Sequence, residues 1–224
     1  MKCTYSHQTV ENGVDLPPLV AIIPGFAPTT NATRYWDYPH PQPLGVDEQI
    51  SAQAARLLNA IARKRGPINV FISAYFRNFH RSLPIVSQDT FYAQLQLLQN
   101  SPNSHFSTLL LSMILISYLS SKIDDGEGKE AKELYPTLKN IYGLLTSTGR
   151  VTVELVQAGV IIAAWEHCQG LGREGWLSIG CCARMGNVLS LHHTIREDMP
   201  ESIEGRRELD TRRSLWWGIV VLER

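Results

Sequence analysis

Apolar residues recur at three- and four-residue intervals through most of this chain, which is the period of amphipathic helices. No stretch of any length alternates apolar and polar positions as a strand does. The most densely patterned segment is the last, RRELDTRRSLWWGIVVLER from Arg206 to Arg224. There Leu209, Leu215, Trp216, Ile219, Val220 and Leu222 form one broad apolar face, with Arg212 and Arg213 one turn before the tryptophans. Adjacent residues point about 100° apart on a helix, so Trp216 and Trp217 are both covered only between several neighbours. This segment is therefore expected to be the central element of a helical domain.

The rest of the pattern divides at residue 46. Before it, Pro17, Pro18, Pro24, Pro28, Pro39, Pro41 and Pro43 break any regular element, and residues 1–46 are expected to be irregular. A helical domain is expected over 47–224. Its first helix starts at Asp47 as N-cap, buries Ile50, Ala54, Leu57, Leu58 and Ile61, and stops at Arg63-Lys64-Arg65-Gly66-Pro67. Cations, then glycine, then proline end a helix for separate physical reasons. The basic triplet also fits part of a nuclear-import signal, but its place at the negative end of a helix favours the structural role. A second helix spans about 68–79, with Pro84 as the stop. Ser87 or Asp89 caps a third, running to about Asn100.

After a turn at Ser101-Pro102-Asn103, an apolar helix from Ser104 to Lys122 is expected to be buried on most sides. Residues 124–128 predict a turn. The helix from Lys129 meets Pro136, which starts or kinks the next segment, ending at Gly149. Thr152 caps a helix through Gln169, with Val153, Val156, Val160, Ile161, Ala164 and Trp165 inward. A glycine loop covers 170–175. Trp176, Ile179, Gly180, Ala183 and Val188 predict one more helix ending near His193, and 194–207 a charged loop. The expected fold class is all-α, a multi-helix domain after an irregular proline-rich N-terminal segment.

Composition narrows the function. Lys plus Arg equals Asp plus Glu, 21 each, so the basic excess of a nucleic-acid-binding domain is missing. Cys3, Cys168, Cys181 and Cys182 form neither a C-x-x-C pair nor a disulfide framework, and reduced thiols are expected. The N-terminus has no signal-peptide core, and the longest apolar run, Leu109 to Leu119, falls short of the about 20 residues that span a bilayer. Residues 170–175 match G-x-G-x-x-G, but a helix rather than a strand precedes them and no acidic residue lies at the ribose offset, so an interhelical turn explains the glycines better. No H-E-x-x-H and no G-x-S-x-G occurs, and catalysis gains little support. Phe76, Phe79, Phe91 and Tyr92 lack the basic interleaving of a base-stacking surface.

Three blocks, taken in order, resemble the fungal-specific transcription factor domain, the middle regulatory region of fungal binuclear zinc-cluster transcription factors. The first is YFRNFHRSLPIVSQDTF from Tyr75, with His80, Pro84 and Phe91. The second is SIGCCARMGNVLSLH from Ser178, with Gly180, Arg184, Met185 and His192. Between them VELVQAGVIIAAWEH carries Gln157, like the family's glutamine-containing helix. The third holds Arg212, Arg213, Trp216 and Trp217 before Leu222-Glu223-Arg224, where the family usually ends in Asp-Arg. Gly186 and Ser190 stand where the family commonly has alanine and glycine.

The match covers about 68–224. The resemblance implies a regulatory, non-catalytic module in the nucleus, controlling RNA polymerase II transcription. In the family a six-cysteine zinc cluster lies N-terminal and reads DNA, so zinc and DNA contact are expected only through such a separate region, and no cofactor in this chain. A homodimer mate, a coregulator protein or a small-molecule effector is the expected partner, with no membrane role. The family domain normally continues past the tryptophan block, so the chain is expected to be a fragment or a shortened relative. The alternative is a shortened helical protein that binds a partner without DNA. A third reading is a nucleotide-dependent enzyme built on residues 170–175. The motif residues themselves predict architecture: Gly180 and Gly186 close helix approach, the three arginines partners to helix-end carbonyls or carboxylates such as Glu208 and Asp210, the tryptophans interhelical filling.

Overall fold

The structure, a computed structural model, describes residues 45–98, 101–119, 125–196 and 200–224. The proline-rich stretch up to Leu44, Cys3, the expected helix end at Asn100 and the positions Lys122 and Asp124 lie outside them. The described residues form helices α1 (Val46–Arg65), α2 (Asn69–Arg77), α3 (Phe79–Ser82), α4 (Gln88–Leu98), α5 (Ser104–Ser117), α6 (Asp125–Ser147), α7 (Val153–Cys168), α8 (Gly172–Val188) and α9 (Ile203–Leu222). A 3₁₀ segment, Leu191–Arg196, lies between α8 and α9. No strand occurs among the described residues, and the all-α class holds.

Helices α5 and α7 are the centre, and they pack on each other. Every residue of α5 is buried, and so is α7 from Leu155 to Glu166. Such helices are apolar all round and must be enclosed. Helices α1, α2 and α6 cover α5, while α6, α8 and α9 cover α7. The hydroxyls inside α5 are bonded locally: Thr108 donates to the Ser104 carbonyl at 2.7 Å, Ser112 to Leu109 at 2.7 Å and Ser117 to Met113 at 2.6 Å. A buried hydroxyl without an acceptor would cost about 1–3 kcal/mol.

Local chemistry sets the helix ends. Asn103 and Thr152 accept from the N–H groups of Phe106 and Leu155, capping α5 and α7. Gly66, at φ 92°, ends α1 in a conformation that other residues adopt only with strain. Beyond the basic triplet's dipole role, Lys64 and Arg65 reach Glu130 of α6 at 2.7 and 2.5 Å.

Several boundaries differ from the expectations. The α1 N-cap is Gly45. Asp47 sits in the first turn, accepts from Ser104 Oγ at 2.9 Å and faces Arg150 at 3.5 Å. The second helix breaks at Asn78, leaving α3 as one turn. Residues 125–128 are helical rather than a turn, and Pro136 lies inside a single 23-residue α6. Its missing N–H is one bond in a helix long enough to lose it. Gly172 to Gly175 form the first turn of α8, not a loop. That helix ends at Val188 because Ser190 turns the chain with φ 56°. Ser202 caps α9 by accepting from Gly205 N at 3.0 Å, so the last part of the expected charged loop is helical.

Candidate functional site

The first motif block builds an aromatic layer. Phe76 meets His80 at 5.1 Å and Phe91 at 5.7 Å, and Phe91 meets Phe106 of α5 at 5.2 Å between ring centroids. Burial lowers the pKa of His80, whose Nδ1 is enclosed with no hydrogen-bond partner. These rings fill the core rather than offer a stacking surface. Pro84 then reverses the chain: the Ile85 N–H donates to the Leu83 carbonyl at 2.9 Å, a three-residue turn. The turn presents the Ile85 carbonyl to α7, where Gln157 Nε2 donates to it at 2.7 Å. Proline and glutamine, far apart in sequence, thus act on one joint.

The other two blocks build a seam between α8 and α9. At Gly186 a Cβ would stand 3.2 Å from Ile219 and 3.3 Å from the Trp216 ring, so glycine lets the helices approach. His192 lies 5.8 Å from Trp216 between centroids, and Met185 is buried in the same seam. Arg212 donates to the carbonyl of Leu189, the C-cap of α8, at 2.7 Å. Arg213 donates to the carbonyl of Thr194 at 2.8 Å. Helix-end carbonyls are the partners expected for these arginines. Three placements differ from expectation. Arg184 is exposed and donates to the Gly180 carbonyl of its own helix at 3.2 Å. Gly180 approaches only that arginine side chain, at 3.7 Å, not another helix. Trp217 is 53% exposed, so only Trp216 fills interhelical space.

Phe91, Gln157 and Arg212 come together around a cleft of about 480 Å³ between α4, α7 and α9. Val86, Phe91 and Leu109 give it an apolar floor. Across it Arg207 of α9 pairs with Asp89 of α4 at 2.7 Å, and Gln94 donates to Glu154 at 2.9 Å. His80 and Pro84 line a shallower neighbouring hollow that shares Arg207 and Asp89. A separate cleft of about 690 Å³ lies where α1, α5 and α7 begin. It holds none of the motif residues. His105 in its wall is bonded to Thr152 Oγ1 at 3.0 Å, and burial lowers its pKa.

Sequence reasoning missed a polar cluster in the core. Glu166 of α7 is fully buried. It accepts from Tyr135 Oη at 2.6 Å, Lys139 Nζ at 2.5 Å and Ser178 Oγ at 2.5 Å, and Lys139 also donates to Ser178. Burial, with the bond to Glu166, holds the Tyr135 phenol above its ordinary range. One turn away Tyr142 Oη lies 3.5 Å from Cys182 Sγ, and burial pushes that thiol up to about 12. The signal was a glutamate directly after the apolar run Val160 to Trp165. Serine, lysine and tyrosine together suggest nucleophile chemistry, but Ser178 is 3% exposed and already engaged with Glu166. The glycines at 170–175 are structural too: a Cβ on Gly175 would lie 2.5 Å from the His167 ring.

Cys168, Cys181 and Cys182 do not fit a zinc cluster. Cys182 is sealed against Tyr142, and among the described residues no group of three or more His, Cys, Asp or Glu could hold a metal ion. No described helix is long and apolar enough to cross a membrane.

These junctions coincide with a known family. Residues 72–224 match the fungal specific transcription factor domain, and the chain belongs to that family. It is 28% identical over 157 residues to the lactose regulatory protein LAC9 of Kluyveromyces lactis, covering 70% of this chain and 17% of that protein. It is 27% identical over 127 residues to transcription factor BOA15 of Botryotinia fuckeliana, covering 57% of this chain and 67% of that one. It is 25% identical over 154 residues to transcription factor tazR of Aspergillus terreus, covering 67% and 24%. No solved structure gives a significant match.

Proposed function

We propose that this chain is the regulatory, non-catalytic helical module of a nuclear fungal transcription factor that controls RNA polymerase II transcription. DNA contact and zinc belong, in this reading, to a separate six-cysteine region. The observation that carries it is the family match over 72–224, together with relatives named as a lactose regulatory protein and a transcription factor. The family's motif residues support it by acting as joints: Gln157 on the Ile85 carbonyl, Arg212 on the Leu189 carbonyl, Trp216 against Gly186. None of them is poised at a reacting atom. The α4–α9 side is closed by an exposed ion pair, so an effector can shift it cheaply.

Fusion of the whole chain to an unrelated DNA-binding domain tests this, with a reporter gene as readout. Reporter output should change relative to the DNA-binding domain alone, and Arg212→Ala should reduce the change. Unaltered output from a folded fusion would sink the proposal.

A partner-binding reading has its own observation. Trp217 and Val221 on α9, and Trp176 and Leu177 on α8, are each more than half exposed. Large exposed apolar side chains favour association. A sedimentation profile unchanged across protein concentration would remove self-association from that reading.

A further inference from the structure

We propose that residues 125–135, the part of α6 ahead of Pro136, form an arm that swings away from α7 about the proline while the rest of α6 stays packed. This motion follows from the packing of α6 and does not rest on the regulatory reading above.

The proline divides α6 into two unlike parts. Past it, Leu138, Ile141 and Leu145 are fully buried and Tyr142 is 4% exposed. Ahead of it, between 128 and 135, only Ala131 and Leu134 are buried. Burial of an apolar face supplies most of the stability of a helix in a protein, so the arm is attached by much less of it. At the join, Pro136 offers no N–H to the Lys132 carbonyl and its ring crowds that carbonyl. Helices bend at such points. The backbone link is thus weakest where the packing changes.

Two polar latches hold the arm. Glu130, within it, pairs with Lys64 and Arg65 at the end of α1, whose side chains are 63% and 34% exposed. Ion pairs in contact with water are individually weak. Tyr135, at the hinge, donates to Glu166 at 2.6 Å and stacks on the Trp165 ring at 4.7 Å between centroids. Releasing this second latch does not strand the buried carboxylate. Lys139 lies beyond Pro136 and Ser178 lies on α8, so Glu166 keeps its cation and a hydroxyl donor when Tyr135 leaves. The stacked indole adds a reason to open. Trp165 Nε1 is buried with no hydrogen-bond partner among the described residues. A swung arm lets water reach that donor, which offsets part of what the latches lose.

The open form uncovers the Trp165 ring beside the Glu166 carboxylate and releases Lys64 and Arg65. Helices α5, α7 and α8 keep their places, so the change is confined to one side of the bundle.

The test is native-state hydrogen exchange on the full chain, read by mass spectrometry over increasing urea below the unfolding transition. Amides 130–135 should exchange about a hundredfold faster than amides 138–145, with a clearly smaller dependence on urea. Pro136→Ala restores the missing N–H and should bring both sets of amides onto one urea dependence. Tyr135→Phe keeps the ring and removes the bond to Glu166, and should speed exchange of 130–135 about tenfold. Replacing both Lys64 and Arg65 by alanine should speed it about threefold. Thermal melts check that each variant is folded. A single urea dependence for both parts of α6 in the parent chain would overturn the proposal. So would a Pro136→Ala variant whose two parts stay as separate as in the parent, or a Tyr135→Phe variant with unchanged exchange in the arm.

Discussion

Helices α7 and α9 both carry tryptophan, glycine and family motif residues, yet they are opposite kinds of element. Twelve consecutive residues of α7, Leu155 to Glu166, are buried, and its one buried charge is held by three side chains. In α9 only Leu209, Leu215, Gly218 and Ile219 are buried, and the helix is held by arginines on carbonyls and by an exposed ion pair. The first is a core that tolerates no rearrangement. The second is a docked lid whose attachments are individually weak. The contrast places enclosed, many-partnered packing at α5–α7 and individually weak attachments at α4–α9.

The sharpest way to break the contrast is at Gly159. A Cβ there would overlap the Tyr142 hydroxyl and lie 2.5 Å from Cys182 Sγ. Gly159→Ala should cost about 3 kcal/mol or more in urea unfolding, because buried overpacking has nowhere to relax. Lys139→Ala should cost about 3 kcal/mol, since it strips the cation from a buried carboxylate. Adding Glu166→Gln to that variant should recover part of the loss; no recovery would mean that the cluster acts by packing alone. Gln157→Ala should cost about 2 kcal/mol by leaving the Ile85 carbonyl unbonded. An effect near zero there would cut the joint between Pro84 and α7 out of the account.

Changes on the other side should be small. Ser190→Gly is expected to raise stability by about 1 kcal/mol, because the native φ of 56° strains any residue with a Cβ. Thermal unfolding would read it as a higher midpoint. Asp89→Asn should shift stability by less than about 0.5 kcal/mol, as exposed ion pairs do. A loss as large as that at Lys139 would show that α9 is no lid at all.

The sequence made the helices legible where the cause is local. The Thr152 cap, the Gly66 stop and the apolar run of α5 follow from residues next to each other. It did not reveal which helix is central. The pattern of α9 reads as a buried face, and it made α9 the expected centre. The structure gives that place to α5 and α7, whose evenly spread apolar residues have no preferred face to signal. Covering a helix is a property of its neighbours, and neighbours are not written in a window. The site was legible in part for the same reason. Gln157 and Arg212 were visible as motif residues, but Gln157 meets Ile85 across 72 positions, and Glu166 meets Tyr135 across 31. The Glu166 cluster also crosses three helices, so no spacing rule points to it.

The two arginine bonds of the α8–α9 seam end on main-chain oxygens, those of Leu189 and Thr194. Every residue type supplies that oxygen. The ties themselves therefore ask nothing of the acceptor side chains; Thr194 is buried on its own account, its hydroxyl donating to the Leu191 carbonyl at 2.6 Å. Methods that find contacts from correlated substitutions will pass over this attachment, because only one end of it is spelled in the amino-acid alphabet.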